Sequence, residues 1–328
     1  MKSFWILLCA TTLLHAETSL SSLQDQMTEA AQVFLGCLSQ DELDQTQLPF
    51  EHQDRFNWHY FPVEIHQRKG LCFNTMSSEQ RLMALSLLST GLSREGFRTA
   101  LGIMSMEDEV HRIEEGKGRF HRHSELYHLT IFGTPSPNSH WAWRLEGHHL
   151  SLNYTFIKGN LVSCSPAFFG ANPKKVTLGS RAGYAVLGTQ DNAAAPLIQS
   201  LTAASLPPLP ELPSDITTKA QQKVNAFSSE TMHTNLSPEQ LLACNHLAQS
   251  YLQIFPSAYQ HLLLSPLSSD THSWSAAYIG SMQPAQPHYY RIQANDFLLE
   301  YSNTQANASH AHAVIRCPNK DFGRHANP

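Results

Sequence analysis

Four histidines in two short runs are the residues of this sequence with the clearest chemical use. His148 and His149 stand in Trp141-Ala-Trp-Arg-Leu-Glu-Gly-His-His-Leu-Ser-Leu-Asn153, and His310-Ala-His312 follows Glu300-Tyr-Ser-Asn303 near the C-terminus. The alternating apolar residues around both runs read as strand, and a strand interior has little use for Arg, Glu and paired His unless something binds them. Side chains two apart on a strand share a face, so His310 and His312 offer two imidazoles to one ion. By the same rule Glu146 and His148 share one face of a strand over 141–157, while His149, Ser151 and Asn153 share the other. Gly147, as a bulge site, leaves open which of the adjacent His turns inward. Neighbouring strands lie about 4.8 Å apart, so a third ligand can come from the next strand. The candidate metal ligands are therefore His310, His312 and one of His148 or His149, with Glu146 or Glu300 as carboxylate ligand or general base.

Imidazole ligands without thiolate suit Zn, Cu(II) or Fe(II) better than Ca or Mg. An open coordination position would activate water or O₂. Arg144 would then pair an anionic substrate, with Asn153, Asn303 and Gln305 orienting imidazoles or touching substrate. A lone His-x-His is more often a hydrogen-bonded pair on a partly exposed strand; two His runs, each accompanied by Glu and Asn, favour the metal. No HExxH, paired CxxC, GxxxxGK[ST] or GxSxG occurs; those templates are unsupported. A Glu146/Glu300 pair acting on a glycoside would leave the histidines unexplained. The function implied is a metal-dependent enzyme, hydrolase or oxidoreductase, acting on a small molecule. The alternatives are a non-catalytic protein that binds a metal or small anion, and a purely structural one.

The rest of the chain must position these groups. Its 328 residues are 41% hydrophobic with a formal charge of -5 and no basic stripe, which provides for a packed core and argues against nucleic acid as partner. Lys2, the apolar run Phe4–Leu14 and the small-residue end Leu14-His-Ala16 predict a secretory signal over residues 1–16, and export to periplasm or medium of a single domain over 17–328. No later run is long and apolar enough to span a membrane. Five cysteines follow Cys9 at wide spacings that select no pairing.

Periodicity and capping signals predict an N-terminal helix within 18–46, helices after Ser77-Ser-Glu-Gln80 and Ser93, another over 191–201, and one after Ser237-Pro238-Glu-Gln240. Strands are predicted over 127–132, 141–157, 161–164 and 183–188, with a hairpin about Asn295-Asp296 and a last strand from His310; 168–173 reads as a loop. The fold class is α+β, a mainly antiparallel sheet with N-terminal and mid-chain helices packed on it.

Several runs, Trp58-His-Tyr60, the 141–153 run, Pro166-Ala-Phe-Phe-Gly-Ala-Asn-Pro173, Tyr289-Tyr-Arg-Ile-Gln293, Glu300-Tyr-Ser-Asn-Thr-Gln305, His310-Ala-His312 and Asp321-Phe-Gly323, resemble the DUF3500 family over nearly the whole chain after residue 16. The resemblance implies one shared architecture and one shared site, and lends no reaction. That family's final run usually continues His-x-His-x-x-Trp-Arg-Asp; here Ile315-Arg316-Cys317 stands instead, and Cys317 inherits no acidic role.

Overall fold

The computed structural model describes residues 19–217, 232–264, 274–281, 283 and 286–326, and the expected signal segment lies outside them. Helices α1 (Leu20–Gly36), α2 (Gln40–Thr46), α3 (Ser78–Gly91), α4 (Arg94–Ile113), α5 (Gly188–Ala203), α6 (Pro238–Leu252) and α7 (Ser257–Leu263) accompany an 11-stranded sheet. Its strands are β1 (Gln47–Leu48), β2 (Leu71–Cys72), β3 (Tyr127–Gly133), β4 (Trp141–Gly147), β5 (Leu150–Ile157), β6 (Asn160–Ser163), β7 (Ala167–Ala171), β8 (Ser275–Gly280), β9 (His288–Ala294), β10 (Phe297–Gln305) and β11 (His310–Arg316). The main path runs β1-β3-β4-β5-β7-β11-β10-β9-β8, with β2 on β3 and β6 on β5. All pairings are antiparallel except β1 with β3. The α+β class holds.

The capping residues start the helices where their chemistry requires. Ser77 with Gln80 and Ser237 with Gln240 form reciprocal boxes at α3 and α6, and Pro238 occupies the first turn, where its missing N–H costs nothing. The N-terminal amphipathic pattern is divided into α1 and α2, because Ser39 and Glu42 form a new capping box after Gly36.

Two strand expectations and one loop expectation are corrected. Residues 141–157 are two strands, β4 and β5, joined by a tight turn at His148-His149, where His149 takes a left-handed φ of 67°. Residues 183–188 are a turn running into α5; Gly183, at φ 92°, bonds only locally to Val176. The predicted loop at 168–173 begins in strand β7, whose Phe168 and Phe169 bury opposite faces.

Alternation sorts the sheet into two faces. Trp143, Leu145, Leu152, Phe169, Ala313, Tyr301 and Ile292 face the helices in one large apolar cluster. The other face carries polar groups, and the register aligns them in a cross-strand row of His128, Glu146, Ser151, Phe168, Val314, Glu300 and Arg291. The aromatic segment with Trp58 and Tyr60 covers this face, packed with Phe168, Val314, Ile216 and Phe322.

Candidate metal centre

The tight turn brings the two His runs together. Because His149 extends β5, its carbonyl accepts from Gly170 N–H of β7 at 2.7 Å, and Gly170 is the Cα partner of His312 on β11. Without a side chain at Gly170, the rings of His149 and His312 approach to 5.4 Å between centroids. The remaining spacings are 3.6 Å for His148 with His149, 4.7 Å for His149 with His310 and 4.6 Å for His310 with His312. Ligand atoms of His148, His149 and His310 all lie within 4.8 Å of one another, so this trio could hold a metal ion.

Each ring is held by a partner. His149 Nε2 and His310 Nε2 are 2.6 Å apart, one donating and the other accepting. His148 Nδ1 is 2.6 Å from Glu107 Oε1 of α4, and Arg122 lies 3.1 Å from the same nitrogen. His312 Nδ1 meets Asp215 Oδ1 at 2.6 Å; the other oxygen of Asp215 accepts from the Tyr60 hydroxyl at 3.2 Å. The turn itself is pinned: His149 N–H donates to Tyr60 O at 3.2 Å, and the Tyr127 hydroxyl donates to His148 O at 2.6 Å.

Burial keeps the imidazoles neutral. It pushes His149 far below the ordinary imidazole value, reinforced by His148, His310 and His312, and takes His310 down to about 3, helped by His312. His148 is also lowered by burial, although the Glu107 carboxylate beside it works the other way. Neutral imidazole is the metal-binding form, so the fold presents these rings ready for an ion. His-carboxylate contacts such as His148–Glu107 and His312–Asp215 are the kind that orient ligating imidazoles.

The other expected site residues are placed elsewhere. Both His148 and His149 belong to the trio, while His312 is engaged with Asp215 beside it. Glu146 is fully buried and faces Arg144 Nε at 3.1 Å and the His59 backbone N–H at 3.1 Å. Arg144 straps the 54–57 segment, donating to Asp54 O at 2.6 Å and to the Asp54 carboxylate. Asn153 donates to Pro166 O at 2.9 Å, and Asn303 accepts from His288 N–H at 2.7 Å. Gln305 is the Cα partner of His310 at the irregular end of β10.

Glu300 accepts from the Tyr289 hydroxyl at 2.7 Å and from Thr217 N–H. It stands four strand steps from Glu146, roughly 19 Å at about 4.8 Å per step, which excludes a carboxylate pair across one glycosidic bond.

Glu107, Arg122 and Asp215 carry no site role in the sequence reading, and Tyr60 and Gly170 enter it only within the runs that carry the family resemblance. Glu107 had a signal: it occupies the apolar stripe of α4, four residues after Ile103 and three before Val110, where a carboxylate needs a partner. Asp215 had none. Asp321 supplies the acidic partner of the last strand, accepting from Arg316 Nε at 2.6 Å and from Cys317 N–H at 3.0 Å. Among the described residues all five cysteines are free thiols.

Fold and site together define an α+β protein with a partly buried polyhistidine group at the centre of one large sheet. The chain belongs to the family described as protein of unknown function (DUF3500), which matches residues 21–324. No curated protein and no solved structure matches it.

Proposed function

We infer that His148, His149 and His310 bind a divalent transition metal, with zinc, copper or iron as the class of ion, and that the protein is an exported metal-dependent enzyme. The observation that carries this reading is the convergence of three neutral imidazoles from two distant runs within 4.8 Å. His148, His149 and His310 would hold the ion and leave it a coordination position for substrate or solvent; zinc would supply Lewis-acid hydrolytic chemistry there, and copper or iron redox chemistry. The activity inferred is hydrolysis or oxidation of a small molecule, according to which of these ions the imidazoles would hold. Glu107 orients His148, and His312, held by Asp215, stands next to the trio. Export is supported by Lys2, the apolar Phe4–Leu14 run and Leu14-His-Ala16; Edman sequencing of protein from the culture medium or periplasm should then begin near Glu17.

Elemental analysis of protein purified without chelator tests the metal. The expected result is close to one ion per chain, retained through dialysis, and its loss in a His149→Ala/His310→Ala variant that still folds. Less than a tenth of an equivalent in the wild type, both as isolated and after incubation with zinc, copper(II) or iron(II), would sink the reading.

A second reading, a metal-free structural core, has one observation in its favour: every ring of the group already has a hydrogen-bonding partner. It requires that added metal leave the melting temperature unchanged, whereas a bound ion raises it by mass action.

A further inference from the structure

His312 stands outside the trio, yet its ring is placed among the others as a ligand would be. His310 and His312, two apart on β11, share one face, and opposite His312 the bare Cα of Gly170 leaves the ring room to approach His149. With metal–nitrogen bonds of about 2.0 Å, imidazoles that share one tetrahedral ion stand roughly 5 Å apart from ring centre to ring centre. The pairs His149–His310, His310–His312 and His149–His312 lie at 4.7, 4.6 and 5.4 Å, crossing at 82°, 79° and 53°. His148 is the ring that departs from this spacing, lying on His149 at 3.6 Å and 29°.

The hydrogen bond of His312 selects the nitrogen. Its Nδ1 meets Asp215 Oδ1 at 2.6 Å; a carboxylate oxygen accepts, so Nδ1 carries the hydrogen and Nε2 keeps the lone pair that a metal takes. His148 stands in the same relation to Glu107, with Nδ1 at 2.6 Å from Oε1. His149 and His310 already meet through Nε2. Nε2 is thus the ligand atom on offer from all four rings.

His312 is also held in place. Asp215 is fixed by the Ile216 N–H, which donates to Oδ1 at 2.7 Å, and by the Tyr60 hydroxyl on its other oxygen. The Tyr60 and Phe168 rings lie 5.0 and 5.3 Å from the imidazole. A carboxylate behind the ring and aromatic walls beside it are the support that orients a ligating histidine.

We propose that His312 is the fourth ligand of the ion, bound through Nε2, so that the centre is one of four imidazoles. This rests on the metal reading above and narrows the ion. Four imidazoles fill a tetrahedral zinc shell, the closed form of structural sites, whereas copper(II) and iron(II) accept further ligands. Copper or iron is then the class of ion that keeps a position for substrate at this centre.

Zinc titration of protein carrying isotope-labelled histidine tests it by nuclear magnetic resonance, because a ring nitrogen that binds zinc shifts strongly and the same long-range spectrum reads the tautomer. Four Nε2 signals should shift together at one equivalent of zinc. In His312→Gln one of the four should be missing, and zinc should bind about tenfold more weakly or worse. Three shifting signals in the wild type, or an unchanged set and affinity in His312→Gln, would overturn the proposal and leave the metal on the trio standing. No shift of any ring in excess zinc would remove the metal reading and this inference with it. The wild-type count carries the test alone if His312→Gln does not fold.

Discussion

Gly170→Ala is expected to lower metal affinity at least tenfold and to cost about 1–3 kcal/mol of stability, the usual range for overpacking a core. The added Cβ would meet His149 Cδ2 at 2.7 Å, Cγ at 3.0 Å and Cβ at 3.1 Å. These atoms cannot swing away cheaply. His149 sits on a two-residue turn at a left-handed φ, its N–H tied to Tyr60 O and its carbonyl to Gly170 itself. The ring must rotate out of the trio or β7 must shift from β5. A Gly170→Ala/His149→Ala double variant separates the two consequences: stability should return in part because the clash is gone, while metal binding should not. Denaturant melts and zinc titration of the three proteins read both quantities, and an affinity in Gly170→Ala equal to wild type would show that the trio does not need this gap.

Metal-free protein should unfold in mild acid, roughly between pH 4 and pH 6 and ahead of general carboxylate protonation. His128 and His288, outside the trio, are each pushed down to about 4 by burial, first of all by loss of solvation. The unfolded chain titrates at the ordinary value of about 6.5. Above that pH both states are neutral and the full stability is present. As pH falls below it, the unfolded state binds protons that the folded state refuses, so stability is lost until the folded values are reached. Each such proton is worth about 1.4 kcal/mol per pH unit in the window. Half-buried His59 adds less. Circular dichroism from pH 7 to 3.5, with and without His128→Phe and His288→Phe, checks this; a midpoint that neither variant moves downward would contradict it.

Much of the architecture could be read from the chain because local chemistry and tertiary packing agree there. Capping serines at 77, 93 and 237 begin helices as their spacing demands, and the hairpin at Asn295-Asp296 forms where expected. The family, too, was visible in the runs that carry it. Periodicity failed where a residue had to leave the regular backbone. A two-residue turn at His148-His149 resets the alternation, so Glu146, Ser151 and Asn153 share a face that a continuous strand would have split. Strand β7 was hidden because its Phe-Phe-Gly sequence is buried on both sides and does not alternate. The histidines announced themselves by type, whereas their partners did not: Glu107 lies on a helix and Asp215 in a proline-rich crossing, at sequence separations of 41 and 97 residues from the rings they hold. Such pairings depend on the closed tertiary structure, which no local pattern encodes.

The short strand β7 is the seam between the N-terminal and C-terminal portions of the sheet: on one side lies β5, on the other β11. The trio straddles that line, with His148 and His149 on the first side and His310 on the second. An ion bound there would act as a rivet between two halves of a continuous sheet. Its dissociation would therefore be felt as a parting along β7, with amide exchange rising first at Ala167–Ala171 and its two flanking neighbours while the outer strands keep their protection.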